Sequence, residues 1–395
     1  MRVLVNDHAG HPFGVHLSRS LSRRGYEVCH TFCSSVQTPR GALARRPNDP
    51  SCFNVVPIAL SQPFNRYGMV ERFFQEKELG RLLAKKAEEF KPDVVISANT
   101  PLGAQSSLIE KCQNIKVKFI FWVQDLLGIG IKNNIGKKLP VLGKAVGWYY
   151  VKLEKTLLRK SDQVVLITED FCPIVKDAGV SRDRTHIIHN WAPMEEIPRF
   201  PKSNPWSLKY GLDNRFCFLY SGTLGMKHNP QLLVEMAVEF QNNPNVCIVV
   251  VTEGLGADFL KNRKAELCLD NLIIMPFQAF EDLPMVLASA DVLLAILESD
   301  AGVFSVPSKV LTYLCTERPL LLSMPPGNLA ARIVAVSQAG IVVASSNTTE
   351  YLEASKRLAK DNELRDSFAT NGLAYARETF DIERITDRFE NIIQS

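Results

Sequence analysis

Residues Ala290–Pro319 read ADVLLAILESDAGVFSVPSKVLTYLCTERP, an apolar strand leading through a polar loop into a helix. Val292 to Leu297 form a continuous apolar run, the kind that a parallel sheet covers on both faces. Glu298 follows at the carboxyl end of the run, and in the loop Ser299 to Ser305 a glycine, Gly302, lets backbone approach a ligand closely. Pro307 suits the first position of a helix whose face is marked by Val310, Leu311 and Leu314. A strand end, a loop and a helix start together present backbone N–H groups and the positive end of a dipole, which receive a phosphate. Taken alone, the pattern also fits an ordinary crossover of an α/β sheet.

The same arrangement occurs upstream. Phe216 to Tyr220 reads as a strand, followed by Ser221–Pro230 (SGTLGMKHNP) and a helix from Gln231. Gly222 and Gly225 after a strand, with Thr223 between them and Lys227 before a helix, make a second phosphate cradle. Val246 to Thr252, Asn271 to Pro276, Leu320 to Ser323 and Ile341 to Val343 are further strands, and helices are expected over Thr349 to Asp361 and Glu363 to Glu378.

The N-terminal half alternates in the same way. Strands are expected over Arg2 to Asn6, Val28 to Phe32, Phe53 to Ile58, Val94 to Ala98, Val117 to Val123, Gln163 to Thr168 and Thr185 to His189, with helices such as Val15 to Arg24, Glu76 to Phe90 and Glu169 to Ala178. Such alternation predicts an α/β fold with a mostly parallel, doubly wound sheet in each half. The loop Asn6 to Gly14 lacks the Gly-x-Gly-x-x-Gly fingerprint, because Gly10 and Gly14 stand too far apart, which disfavours a hydride-transferring dehydrogenase. His8, Gly10, His11 and Gly14 in that loop, Asn99 after the fourth strand and Asp125 after the fifth point toward the substrate crevice, or serve as turn punctuation and caps.

The 395 residues divide into a domain over 1–192, a linker over 193–206 rich in proline (Pro193, Pro198, Pro201, Pro205), a second domain over 207–380 and a terminal helix over 381–395. Hydrophobic residues at 46% and charged residues at 22% are ordinary for a soluble globular protein, with no run long enough to span a bilayer. Met1 to Val5 opens directly on a strand without the apolar region of a signal peptide, so a cytoplasmic location is expected. The nine cysteines form no Cys-x-x-Cys pair, and neither they nor the carboxylates are spaced to hold a metal. The net charge of +4 is mild and excludes nothing unless it is concentrated. It is concentrated at Lys132 to Lys160, where eight basic residues face the single acid Glu154, with Trp148, Tyr149 and Tyr150 among them. A basic, aromatic amphipathic stretch of this kind suits the anionic surface of a membrane, or a solvated helix face.

Ser305, Val306, Pro307, Ser308, Lys309, Tyr313 and Pro319 together make a pattern that resembles the donor-binding segment of the GT-B glycosyltransferases, in particular the family 4 enzymes that build bacterial surface polysaccharides. The resemblance covers nearly the whole chain and is most specific between Tyr220 and Pro319. It implies two Rossmann-like domains facing across a cleft, with the terminal helix crossing back to the first. It also implies retaining transfer from a nucleotide-diphosphate sugar, UDP-linked, to a lipid-linked or saccharide acceptor. On the donor side Glu298 matches the glutamate that contacts the sugar, Lys227 the lysine at the diphosphate, and Phe277 and Gln278 the residues beside the base. The backbone of Gly302, Val303, Phe304 and Ser305 would meet the diphosphate and sugar, with Ser308 next to it.

Two departures stand out: Thr312 falls where the family has a ribose-binding glutamate, and Glu317 falls where it commonly has glycine. The arginine that usually accompanies Lys227 is absent, and Lys309 is expected to supply its charge. On the acceptor side Asp125 is the candidate base. No cofactor, metal or nucleic acid is implied beyond the nucleotide-sugar co-substrate, and the basic stretch would hold the enzyme on the inner face of the cell membrane. The alternatives are a nucleotide-sugar epimerase of the same fold and a noncatalytic two-lobed sugar- or nucleotide-binding protein.

Overall fold

The computed structural model describes residues 1–36, 40–65, 68–138, 142–225, 228–298 and 306–395, without the side chains of 69, 134–138 and 142. It separates into two compact units, Met1–Asn190 with Asp381–Ser395, and Trp191–Phe380.

In the first unit the chain runs β1 (Arg2–Asp7), α1 (Pro12–Arg23), β2 (Glu27–Cys33), β3 (Phe53–Ile58), α2 (Met69–Phe90), β4 (Val94–Ala98), α3 (Leu102–Asn114), β5 (Lys118–Val123), α4 (Leu127–Lys138), α5 (Leu142–Lys160), β6 (Gln163–Leu166), α6 (Cys172–Asp177) and β7 (Thr185–Ile187). The seven strands lie in the order β3-β2-β1-β4-β5-β6-β7 and pair in parallel, with Val3 opposite both Val28 and Val94. Every residue of β4 is buried, as continuous apolar strands of a two-sided parallel sheet require.

The second unit runs α7 (Pro205–Lys209), β8 (Phe216–Ser221), α8 (Pro230–Glu239), β9 (Val246–Val251), α9 (Leu255–Leu267), β10 (Leu272–Met275), α10 (Leu283–Ala288), β11 (Val292–Ile296), α11 (Lys309–Leu314), β12 (Leu320–Ser323), α12 (Leu329–Ser337), β13 (Gly340–Val343), α13 (Thr348–Lys360) and α14 (Asn362–Thr379), and the chain ends in α15 (Ile382–Gln394). Its six parallel strands follow the order β10-β9-β8-β11-β12-β13. Phe218, Tyr220, Leu232, Val250, Leu294 and Tyr351 are among the residues that fill its core.

α15 packs within the first unit. Its apolar face, Ile385, Phe389, Ile392 and Ile393, is buried, and the Phe389 ring meets Trp122 of β5 edge-on at 5.0 Å. At the far end of the helix the Lys118 ammonium donates to the carbonyls of Ile392 (2.7 Å) and Ile393 (3.1 Å), a cation satisfying orphan C-terminal oxygens. Arg24 reaches three acids of the same helix, Glu383, Asp387 and Glu390, which raise its pKa against the opposing effect of burial.

Several sequence expectations need correcting. The helix expected from Val15 begins at Pro12, with the proline at its first position, and the one expected from Glu76 begins at Met69. The helix expected over Glu169 to Ala178 opens as a 3₁₀ turn, Glu169–Phe171, capped by the Thr168 side chain, before α6 starts at Cys172. Pro205, counted among the prolines of an irregular linker, instead opens α7, where Asn204 and Ser207 form a reciprocal capping box and Trp206 is buried. The basic stretch, to which no helix bounds were assigned, falls on two helices, α4 and α5. The helix expected from Pro307 starts as α11 at Lys309, although the Pro307 carbonyl already accepts from the N–H of Val310 at 3.3 Å.

Replacing Phe389, a fully buried ring, by alanine should cost about 3–5 kcal/mol, read as a lower urea midpoint in Trp fluorescence. A cost below about 1 kcal/mol would mean that α15 adds little to the unit.

Candidate active site

Ligands of open parallel sheets bind at the carboxyl ends of strands where the order of connection reverses. In the second unit that reversal lies between β8 and β11. β8 ends at Ser221, and Gly222 follows with φ 125, a conformation that side chains other than glycine's resist. A Cβ there would lie 3.0 Å from the ammonium of Lys309, so the glycine also makes room for that group. Lys309 Nζ is buried 3.6 Å from the centroid of the Tyr220 ring, a cation over an aromatic face. Tyr313 locks the same corner: its hydroxyl accepts from the Ser221 N–H and donates to the Ser221 carbonyl, each at 3.0 Å. Burial pushes the phenols of Tyr220 and Tyr313 well up, so both remain neutral donors.

The loop after β8 is pinned along its length. Tyr220 donates to the Thr223 carbonyl (2.8 Å), Leu224 N–H donates to Thr252 Oγ1 (3.1 Å), and Gly225 N–H donates to His228 Nδ1 (2.9 Å). Glu298 stands half-buried two residues beyond the end of β11. Ser308 is exposed and Thr312 half-buried at the start and middle of α11. Phe277 and Gln278 are half-buried, but the N–H of Phe277 donates to Glu253 (3.1 Å), and the Gln278 side chain accepts from Trp206 Nε1 (3.1 Å). Lys227, Gly302, Val303, Phe304 and Ser305 lie outside the described residues. Glu317 adopts φ 55, the left-handed conformation that explains why glycine suits this place, and its carboxylate pairs with Arg199 at 2.8 Å.

In the first unit the reversal lies between β1 and β4. Asp7, the last residue of β1, is fully buried and holds the following loop together. Its carboxylate accepts from the N–H groups of His11 (2.7 Å) and Ala9 (3.3 Å) and from the amide of Asn99 (3.0 Å). Gly14 passes so close that a Cβ would come within 2.8 Å of the Asp7 carboxylate. His11 Nδ1 sits 3.3 Å from Asp7 and 3.1 Å from the Asn99 amide nitrogen. Burial opposes ionisation of Asp7, yet the charge and hydrogen bond of His11, with His30 and Asn99 behind, hold it below the usual carboxylate range. Burial likewise opposes the His11 imidazolium, and Asp7 together with Asp125 outweighs it and raises the pKa. Gly10 turns the loop at φ 72, while His8 is buried with its ring edge-on to Phe64 at 5.3 Å.

Asp125 is half-buried beyond β5, next to a residue that the sequence did not single out for the site. Glu154 of α5 is buried and accepts from the N–H groups of Gly128 (3.1 Å) and Leu127 at the start of α4. Burial pushes its carboxyl up to about 7, with the neighbouring charge of Asp125 adding to the rise. Asp7, Tyr220, Glu253 and Glu154 were missed as site residues, and Tyr313 was noted in the donor-segment pattern without a role. Asp7 had one legible signal: an acid at the end of the first strand followed by a glycine where a helix begins. Among the described residues, no group of three or more His, Cys, Asp or Glu is placed to hold a metal.

With both crevices described, the chain can be compared with known proteins. A glycosyl transferase 4-like domain matches residues 14–191, and the glycosyl transferases group 1 model matches residues 205–374. The chain belongs to the glycosyltransferases. It is 23% identical over 304 residues to WcaI of Escherichia coli K12, a protein assigned as a colanic acid biosynthesis glycosyl transferase, covering 70% of this glycosyltransferase and 73% of that protein. Two solved structures are similar over their full length. Anabaena Alr3699/HepE, in complex with UDP-glucose, has a TM-score of 0.72 at 14% identity, covering 100% of this chain and 99% of that one. WaaG, a glycosyltransferase involved in lipopolysaccharide biosynthesis, has a TM-score of 0.70 at 15% identity, covering 99% of each chain. At these identities the likeness shows the fold, which is GT-B, with two Rossmann-like domains.

Glu154 should make the glycosyltransferase lose stability as pH rises. A carboxyl whose folded pKa is raised holds its proton in the folded protein after the unfolded chain has released its own, so the contribution falls between about 4.5 and about 7. Glu154→Gln should remove this, gaining on the wild type by at most about 3 kcal/mol across that window. Urea titrations at several pH values in which the difference stays flat would contradict it.

Proposed function

We propose that this glycosyltransferase moves a hexosyl or N-acetylhexosaminyl group, with retention at the anomeric carbon, from a UDP-linked donor to a lipid-linked or saccharide acceptor in surface polysaccharide biosynthesis. The observation that carries the reading is the Lys309 ammonium, buried over Tyr220 and against Gly222 at the crevice of the second unit. Breaking the bond from the anomeric carbon to the diphosphate leaves negative charge on the departing oxygen, and catalysis needs fixed positive charge where that charge develops. Lys309 supplies it from the start of α11, Lys227 adds to it from the sequence between β8 and α8, and Glu298 holds the sugar by its hydroxyls, without a metal. Alr3699/HepE in complex with UDP-glucose supports the choice of donor, while WcaI and WaaG support the pathway class.

The acceptor would be reached at a membrane. Trp148 and Tyr149 of α5 are 63% and 52% exposed, and Lys152 lies over the Trp148 ring at 4.9 Å. Glu154, the one acid of the basic stretch, is turned inward and spent on α4, so it leaves the outer charge of Lys132, Lys144, Lys152 and Lys160 unopposed from within the stretch. α2 adds Val70, Phe73 and Phe74, all exposed on one helical face. No described helix is long and apolar enough to cross a membrane, so the attachment would be peripheral.

Radiolabelled UDP-, GDP- and dTDP-sugars incubated with and without membrane extract test the reaction. A lipid-soluble labelled product from a UDP-sugar is expected, whereas an altered free sugar nucleotide would point to an epimerase and no turnover to a binding protein. Lys309→Ala should lower kcat by about 10²-fold or more, and a near-wild-type rate would remove it from the mechanism. The protein should also float with liposomes containing anionic lipid, and reversing Lys132, Lys144, Lys152 and Lys160 to glutamate should abolish flotation. Unchanged flotation would contradict the membrane reading.

A further inference from the structure

The proline-rich segment before β8 is tied into the second unit along its length. Lys202 pairs with Asp291 just ahead of β11, and Arg199 pairs with Glu317 at 2.8 Å. Asn204, the cap of α7, donates from its amide to the Met285 carbonyl of α10 (3.1 Å) and to Ser289 Oγ just beyond that helix (3.2 Å). Trp206 stands in the first turn of α7, its ring against Tyr210 with centroids 4.9 Å apart. Its indole N–H donates to Gln278 Oε1 at 3.1 Å. Gln278 lies in the loop between β10 and α10, so the start of α7 holds both that loop and the helix that follows it.

That contact decides what the loop can offer a nucleotide. The Gln278 side chain accepts from Trp206 through its oxygen and donates to the Pro276 carbonyl (2.9 Å) through its nitrogen, so both of its ends are engaged within the protein. The N–H of Phe277 is taken by Glu253. What stays without a partner among the described residues is backbone: the Gln278 N–H and the carbonyls of Phe277 and Gln278. A donor beside an acceptor is the pairing that the edge of a nucleobase presents in return. Such bonds weaken steeply when distance or angle slips, so the choice among bases depends on where this loop is held. Trp206 is only 5% exposed and has almost no surface to give the base itself, so its influence passes through Gln278.

We infer that Trp206 is a positioning residue for nucleobase selectivity: its indole N–H, acting through the Gln278 amide, sets the place of the Phe277 and Gln278 backbone groups that meet the base of the donor. The inference rests on the proposed reading that the second unit holds a nucleoside-diphosphate sugar with its base beside Phe277 and Gln278. It deepens that reading by naming the buried residue, distant in sequence from the loop, on which the choice of base depends.

Calorimetric titration of UDP, CDP, ADP and GDP into the full chain tests it, in the wild type and in Trp206→Phe, which keeps an aromatic ring and loses the N–H. The wild type should prefer one nucleotide, UDP under the proposed function. In Trp206→Phe the affinity for that nucleotide should fall about threefold or more, the loss of one neutral hydrogen bond, while the least preferred one changes by less than about twofold. The preference among bases therefore contracts. Lys309→Met acts on the diphosphate and should instead weaken every nucleotide alike. Gln278→Leu, which removes the acceptor, should reproduce the contraction, and combining it with Trp206→Phe should go no further than either change alone. Should Trp206→Phe not fold, Gln278→Leu reads the same contact from a half-buried loop position.

An equal loss for every nucleotide in Trp206→Phe would make Trp206 a merely structural residue and overturn the inference. So would a preference that stays unchanged, a wild type with no preference among the bases, or losses that add in the double variant. Each of these outcomes leaves the donor assignment standing, because a nucleoside diphosphate still binds. A wild type that binds none of the nucleotides sinks the donor assignment, and the inference falls with it.

Discussion

The ammonium of Lys309 lies 3.6 Å from the centre of the Tyr220 ring, with its nitrogen buried, and a charge taken out of water there must be compensated by its surroundings. The ring face supplies part of the compensation. The rest of the corner is organised around keeping the cation in place: Gly222 takes a backbone conformation that leaves room for it, and Tyr313 clamps both backbone groups of Ser221. Under the proposed function this cation meets the diphosphate of the donor. Because the strand order reverses between β8 and β11, that anion would arrive where backbone dipoles also point.

The first unit solves the same geometric problem with the opposite charge. At its reversal between β1 and β4 the buried group is the carboxylate of Asp7, compensated by backbone N–H groups, the Asn99 amide and the His11 ring. The two crevices therefore differ in the charge they bury, an ammonium in the second and a carboxylate in the first.

Much of the fold was legible because buried parallel strands leave continuous apolar runs. Val94 to Ala98 and Leu320 to Ser323 agree with β4 and β12 residue for residue. What escaped the sequence was decided by tertiary contacts. The first turns of α2 carry Val70, Phe73 and Phe74 outward, so no core-facing stripe announces them. Glu154, which reads as the acid of a charged face, is instead the buried cap of α4. Of the candidate site, the glycines and Lys309 could be found from spacing, because a strand followed by glycine and a lysine near a helix start is a local pattern. Asp7 and Tyr220 were hidden for the converse reason: they are buried residues whose role depends on partners far along the chain, Asn99 for Asp7 and Lys309 for Tyr220.

The central claim is that the crevice of the second unit binds a nucleoside diphosphate through the Lys309 ammonium. Isothermal titration calorimetry of UDP against the wild type and Lys309→Met, which keeps the length of the side chain without its charge, tests it most directly. Saturable binding that weakens at least about tenfold in the variant, the loss of one charge-assisted contact, is the predicted result. Equal affinity in the two proteins, or no binding to either, would contradict it.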